Sequence, residues 1–375
     1  MRGGASSAAF TALKQPLSKL GRAHLSTTSS YSSRPGAQLG GSIRKASTVV
    51  PHSAGAFAIQ NIEPGVILKG YSGREYTIEN VLQDRRDRQV YLARANEKKF
   101  VLKSLFENEY NYALPLQLRF NHSPYLRALR DTVPDQKMFV NEYMTDHLLN
   151  FAFKDLSLAT QKRVLRDTLR GLAALHDQNI AHLDIKANNI MIDYRDTPNG
   201  IVVDRVQLSD LEDSTHIPPG QALRGLQVGN QFWRSPEAHV QGGVGKPSDI
   251  FSLALVFIFM RLKMVIFRID SAPNVDLTKV ILERQISTFA EWNDFESYLD
   301  YLGRRHSWTS ELRRIGDTFG KDNPRRPFDL WKSDALDPEF KDLIKKMTNF
   351  DPRRRFTARE ALNHAWFHDV PEAEE

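Results

Sequence analysis

The sequence predicts an α+β chain in which a small, sheet-rich lobe is followed by a larger, mostly helical one. Short runs of strand character, separated by polar turns, crowd the stretch from about residue 76 to residue 144. Helical periodicity governs most of the chain beyond residue 144, and strands gathered first with helices afterwards describe segregated layers rather than alternating parallel units. The longest apolar run goes only from Ile250 to Met260 before Arg261 interrupts it. That is too short for a membrane span, which needs roughly 20 residues, and it predicts a buried core helix.

In chain order, residues 1–50 form a leader rich in Ser, Ala and Gly, with scattered Arg and Lys and no acidic residue before Glu63. Phe10, Leu13, Leu17 and Leu20 recur at helical spacing with Lys19 and Arg22 on the other side, although Pro16 weakens such a helix unless it starts there. This composition predicts a mitochondrial transit peptide, with the cytoplasm as the alternative location; the Ser- and Thr-rich run at 26–33 also resembles a disordered, phosphorylatable tail. A linker is expected over 51–74. Strands are predicted at 76–81, 89–95, 99–102 and 137–144, with polar turns at 83–88 and 96–98. A helix follows at 156–176, where Leu165, Leu169, Leu172 and Leu175 line one face. Strands 190–194 and 202–208 make a hairpin closed by 196–200, and further helices are predicted at 248–262, 340–348 and 358–366. The lobes then divide as 75–144 and 145–370, with an acidic tail at 371–375 and no internal repeat.

Charge and cysteine content exclude several functions. The chain has 375 residues, 41% of them hydrophobic and 26% charged, with a net charge of +6 and no cysteine. Disulfides, thiolate zinc sites and cysteine nucleophiles are therefore ruled out. Arg2, Lys14, Lys19, Arg22, Arg34, Arg44 and Lys45 lie in the leader; without those seven, 44 basic residues face 45 acidic ones. The body is near neutral, and net charge gives no support to a nucleic-acid surface.

The chemistry-bearing stretch is His182-Leu-Asp-Ile-Lys-Ala-Asn-Asn189, set between the long helix and the hairpin. It resembles the catalytic loop of eukaryotic protein kinases, with an Asp, a Lys two residues on and an Asn five residues on. The family's other signatures follow in order: Asp210-Leu-Glu212 after the hairpin, Ser235-Pro-Glu237, Ser248-Asp249, and Asp351 to Phe367 with Arg355. Upstream, Phe100-Val-Leu-Lys103 is similar to the family's nucleotide-gripping strand, and Phe139 to Met144 to the strand entering its hinge. The resemblance implies a bilobal protein-kinase-like fold, and ATP and Mg²⁺ as cofactors. Asp184 would orient the acceptor hydroxyl and Lys186 would neutralise the migrating phosphoryl group; Asn189 and Asp210 would hold the metal. Val90, Lys103, Asn141 and Met144 would contact the nucleotide. Glu109 is chosen over Glu107 as the helix-borne partner of Lys103, on a helix that Pro115 should shorten or displace. His182, Glu237, Asp249 and Arg355 would be structural supports, the last pairing with Glu237.

Several positions depart from the family pattern. The glycine-rich loop should fall at 82–90, yet none of its three glycines is present, so backbone amides approach phosphates less easily. Leu183 replaces an Arg that commonly contacts an activation-loop phosphate, which argues against control by loop phosphorylation. Glu212 replaces a Gly beside Asp210, and Asn230 stands where a Thr commonly bridges Asp184 and Lys186. Residues that touch metal or phosphoryl are kept and structural ones are lost, which favours an ATP-dependent Ser/Thr kinase acting on a protein substrate. A pseudokinase scaffold is the alternative. The stretch 265–332 loosely resembles the group of cyclin-dependent and MAP kinases, and its Trp292, Tyr298, Tyr301 and Trp308 are read first as helix packing.

Overall fold

The computed structural model describes residues 62–85, 88–270 and 275–370. The expected leader and the acidic tail lie outside the described residues. Strands β1 (Ile67–Lys69), β2 (Glu75–Arg85), β3 (Arg88–Ala95), β4 (Lys98–Ser104), β5 (Leu129–Val133) and β6 (Met138–Glu142) form an antiparallel sheet ordered β1-β2-β3-β4-β6-β5. Alternation along these strands sends Tyr76, Ile78, Tyr91, Ala93, Phe100, Leu102 and Val140 into one buried cluster. Tyr76 and Phe100 meet there edge to face, with ring centroids 5.2 Å apart.

Three expectations change here. The segment expected as linker supplies β1, which is too short for its three residues to carry a strand pattern by themselves. The polar turn expected over 83–88 is narrower than that: β2 runs on to Arg85 and pairs Gln83 with Val90 and Arg85 with Arg88. Exposed strand positions need no apolar side chain, so polarity there does not mark a turn. Helix α1 (Glu107–Arg119) also continues through Pro115 instead of stopping short of it.

The second lobe begins with β7 (Asp146–His147), α2 (Leu148–Phe151) and α3 (Leu158–His176), the last capped by the Ser157 hydroxyl accepting from Thr160 N at 3.1 Å. Strands β8 (Ile180–Ala181), β9 (Ile190–Thr197), β10 (Gly200–Leu208) and β11 (Thr215–His216) make two small sheets, β10-β9-β7 and β11-β8. Helices α4 (Pro236–His239), α5 (Lys246–Leu262), α6 (Leu277–Phe289), α7 (Trp292–Leu302), α8 (Thr309–Asp317), α9 (Pro338–Met347) and α10 (Ala358–Leu362) complete it. Every residue from Ser248 to Met260 on α5 is buried, as the apolar run requires. Among the described residues no helix is long and apolar enough to cross a membrane. Tyr298 is buried in a second cluster with Phe295 and Phe350, so the aromatic stretch packs largely on its own lobe.

The lobes meet where the segment before β5 crosses the end of β10. Arg127 N donates to Leu208 O and Leu208 N to Tyr125 O, each at 2.9 Å. Helix α3 packs close behind: a Cβ at Gly171 would come within 2.6 Å of Tyr125 O. These contacts set the height at which the chain leaves β10 toward Asp210.

Candidate active site

The loop after β8 takes its shape from α5. Asp249 accepts from His182 N and Leu183 N, both at 2.8 Å, and lies 2.9 Å from His176 Nε2. Leu183 sits in the left-handed region at φ 68°, a conformation costly for a branched residue, and the two amide bonds to one carboxylate hold it there. His182 Nε2 lies 2.9 Å from Ser209 O, a pure acceptor, so that nitrogen donates and Nδ1 is left to accept from Asp184 N at 3.3 Å. One ring thereby joins the loop to the residue before Asp210.

Inside the loop, Asn189 Nδ2 donates to Asp184 O at 2.9 Å and to Asp184 Oδ2 at 3.2 Å. Lys186 Nζ pairs with the same Oδ2. Asn189 O in turn accepts from Ser209 N at 2.8 Å and Ser209 Oγ at 3.0 Å. Asp184, Lys186 and Asn189 therefore form one bonded cluster, and the bonds from Ser209 to Asn189 O hold the next residue, Asp210, beside it. The side chains of Asp184, Lys186, Asp210 and Lys103 stay 11–25% exposed, which leaves the cluster open to solvent.

From the small lobe, Lys103 on β4 reaches down to pair with Asp210 Oδ1. Val90 is its direct partner on β3, so the two side chains share a face of the sheet. Asn141 spends its amide on Ala128 O at 3.0 Å, and Met144 is buried just beyond β6.

Glu109 is the correction. Lys103 Nζ has its second carboxylate at Glu212 Oε2, 3.1 Å away, whereas Glu109 pairs with Arg88 at 3.4 Å and accepts from Phe106 N at 3.4 Å. As the third residue of α1, Glu109 closes that helix's capping box and faces the end of β3. Asn230 also differs from expectation: its Oδ1 accepts from Phe232 N at 3.1 Å, a local turn bond rather than a bridge to the catalytic loop.

The charges are strongly coupled. Burial would raise the Asp210 pKa, but Lys103, together with a hydrogen bond from Glu212, holds it well below the usual carboxylate range. Burial pushes Glu212 up to about 7, Lys103 opposing and Asp210 reinforcing. Burial also works to discharge Lys103, yet Asp210 and Glu212 more than offset it and its pKa is raised. Arg88 follows the same logic, raised against its burial by Asp210, Glu109 and Glu212.

Sequence reasoning missed a brace behind the exit from β6. Glu142 lies 3.1 Å from Arg205 on β10 and 3.2 Å from Arg130 on β5, while Arg127 donates to the Glu142 carbonyl at 3.1 Å. Arg205 also donates through Nε to Asp193 Oδ2 at 2.9 Å. Opposite charges far apart in the chain left no local signal for it. On the other side of the loop, Leu183 packs with Ala181, Ile217, Ala238 and Val244, so a greasy contact secures the following segment where the family pattern has an Arg. The end of that segment is tied down by Glu237, which meets Arg355 at 2.7 Å and 3.2 Å.

The donor set suits Mg²⁺. With its nitrogen spent on Asp184, Asn189 keeps an amide oxygen that could serve a metal, and Asp210 adds a carboxylate; hard oxygens are what this ion prefers. Among the described residues no group of three His, Cys, Asp or Glu could cage an ion. A cation here would thus draw most of its ligands from phosphates and water, as Mg²⁺ commonly does.

The chain is similar to known proteins over most of its length. The model of the protein kinase domain matches residues 89–367. A protein described as a probable cyclin-dependent serine/threonine-protein kinase of Dictyostelium discoideum is 27% identical over 247 residues, 63% of this chain but only 16% of its own length. Cell division control protein 2 homolog 2 of Trypanosoma brucei brucei is 27% identical over 266 residues, 68% of this chain and 69% of its own. In fold, the chain is similar to one in the crystal structure of the yeast RNA Pol II CTD kinase CTDK-1 complex, with a TM-score of 0.64 at 20% identity over 85% of this chain and 98% of that one.

Proposed function

This chain belongs to the protein kinase family, and on that premise we propose that it is an active ATP-dependent kinase transferring the γ-phosphate to a Ser or Thr hydroxyl of a protein. The observation that supports this reading is the bonded cluster of Asp184, Lys186 and Asn189, tied through Ser209 to the neighbouring Asp210, with which Lys103 pairs from the other lobe. Phosphoryl transfer needs positioned charge more than covalent participation by the protein. Asp184 orients the attacking hydroxyl and accepts its proton. Lys186 lies against the same carboxylate and offsets the charge of the group in flight, while Lys103 holds the nucleotide phosphates. Mg²⁺, when bound through Asn189 and Asp210, supplies further charge neutralisation at the phosphates. Lys186 two residues after Asp184, together with relatives named as serine/threonine or cell-division kinases, supports a Ser/Thr acceptor.

Purified protein is expected to gain thermal stability with Mg²⁺-ATP and to transfer label to a generic substrate or to itself. Asp184→Ala is expected to lower transfer by roughly 10²-fold or more while keeping nucleotide binding. The second reading, a scaffold without catalysis, draws support from the missing loop glycines and from a lysine already neutralised by two carboxylates. Absence of nucleotide binding with Mg²⁺, Mn²⁺ or no metal would decide for the scaffold.

The basic, acid-free leader supports mitochondrial delivery as part of the same proposal. A reporter carrying residues 1–50 should collect in mitochondria; a diffuse cytosolic signal refutes it.

A further inference from the structure

We propose that Glu212 is the positioning residue of Lys103, anchoring its ammonium from the large lobe in the role the sequence assigned to a glutamate on α1. The inference rests on the nucleotide-binding reading above and goes past it by naming which element controls the lysine. Both carboxylates paired with Lys103 come from one short segment, Asp210 and, 3.1 Å away, Glu212. Glu212 is shielded, its side chain 7% exposed, and belongs to the single helical turn at 211–213 that starts from Asp210.

Helix α1 is engaged elsewhere. Its Glu109 faces Arg88, and Tyr112 Oη donates to Ser214 O at 3.2 Å, so the helix is fastened to the segment by a hydroxyl rather than through the lysine. A cation that engages Asp210 draws that carboxylate away from Lys103. Among the described residues Glu212 is then the one anion left within ion-pair reach of Nζ. With the Lys103 side chain only 15% exposed, an ammonium deprived of its partner is costly, so the remaining carboxylate fixes where the lysine points. Among the described residues Glu212 Oε2 has no hydrogen-bond partner and stands 3.1 Å from Nζ, so it is placed to accept a hydrogen bond from Lys103 as Asp210 is drawn off. The anchor and the metal-holding residue therefore move as one piece, and a shift of α1 would not release the lysine.

The test compares full-length wild type with Glu212→Gln, Glu212→Asp and Glu109→Gln. Without nucleotide, acetylation of Lys103 by N-hydroxysuccinimide acetate is followed by peptide mass spectrometry, with exposed Lys69 as internal reference. Glu212→Gln should accelerate Lys103 labelling several-fold, Glu212→Asp should restore protection in part, and Glu109→Gln should stay within twofold of wild type. With nucleotide, Glu212→Gln should raise KM for ATP roughly tenfold, the loss of one charged contact, with a smaller effect on kcat. Faster labelling in Glu109→Gln, or unchanged labelling in Glu212→Gln, overturns the proposal. If wild type binds no nucleotide, the kinase reading fails while the labelling result still decides the anchor; the charge-keeping Glu212→Asp separates a lost anchor from a lost fold.

Discussion

Replacing Arg355 by Met should be among the most damaging single changes in the large lobe. Its side chain and that of Glu237 are both fully buried. The guanidinium donates to Glu237 Oε1 at 2.7 Å and Oε2 at 3.2 Å, to Pro247 O at 2.7 Å and, through Nε, to Asn349 O at 3.0 Å. Removing it strands two carbonyls and a buried carboxylate whose remaining side-chain donor is Ser248 Oγ, 2.8 Å away. Breaking one side of a buried pair costs about 3–5 kcal/mol, and the orphaned carbonyls place this case near the upper end. At roughly 2–4 °C per kcal/mol for a domain of this class, Tm should fall by roughly 10–20 °C. Glu237→Gln should cost less, about 2–3 kcal/mol, because Arg355 keeps both carbonyls. The double variant Glu237→Leu with Arg355→Met should recover part of the loss, since no charge is left without its partner. Equilibrium denaturation of wild type, Arg355→Met, the single variant Glu237→Leu and the double variant gives the coupling energy. A fall below about 3 °C for Arg355→Met, on a scale of 2–4 °C per kcal/mol, or a double variant that costs the full sum, would refute the reasoning.

Asp249→Asn keeps one acceptor but turns an NH₂ toward a buried backbone amide, so phosphoryl transfer should drop roughly 10²-fold through misplacement of the loop while Mg²⁺-ATP still shifts the melting curve; equal loss of both would sink this account. His239 is buried and, among the described residues, neither ring nitrogen has a hydrogen-bond partner; burial, aided by Arg234, lowers its pKa to about 3. The unfolded chain therefore binds the extra proton first, and stability is complete above pH 6.5 and falls below it by about 1.4 kcal/mol per unit. In urea titrations from pH 7.5 to 4.5, His239→Gln should flatten that slope, and an unchanged slope would contradict it.

How much of the site is legible in the sequence depends on how local its geometry is. Asp184, Lys186 and Asn189 lie within one loop, where spacing alone brings an amide and an ammonium onto one carboxylate. Lys103 is legible for a different reason: a strand register places it opposite Val90, on the face that looks into the cluster. Asp249 and Arg355 act from farther along the chain, and only the order of motifs points to their partners. The boundaries at residues 83–88 and at Pro115 are not legible, because local polarity and one missing amide do not carry their tertiary setting. Strand pairing carries β2 into its polar stretch as far as Arg85, and α1 runs on through its proline.

The partner of Lys103 cannot be chosen by the same means. Glu107, Glu109 and Glu212 are chemically alike, and sequence distance favours the first two. The choice depends on the rotation of α1, and its capping box turns Glu109 toward Phe106 N and Arg88. Arg88 itself stands in the stretch where the family pattern calls for glycine, and Glu212 stands where it calls for another. In the sequence each departure looks like a separate loss, yet spatially they compensate: the added cation occupies the helix glutamate, and the added anion takes over the lysine.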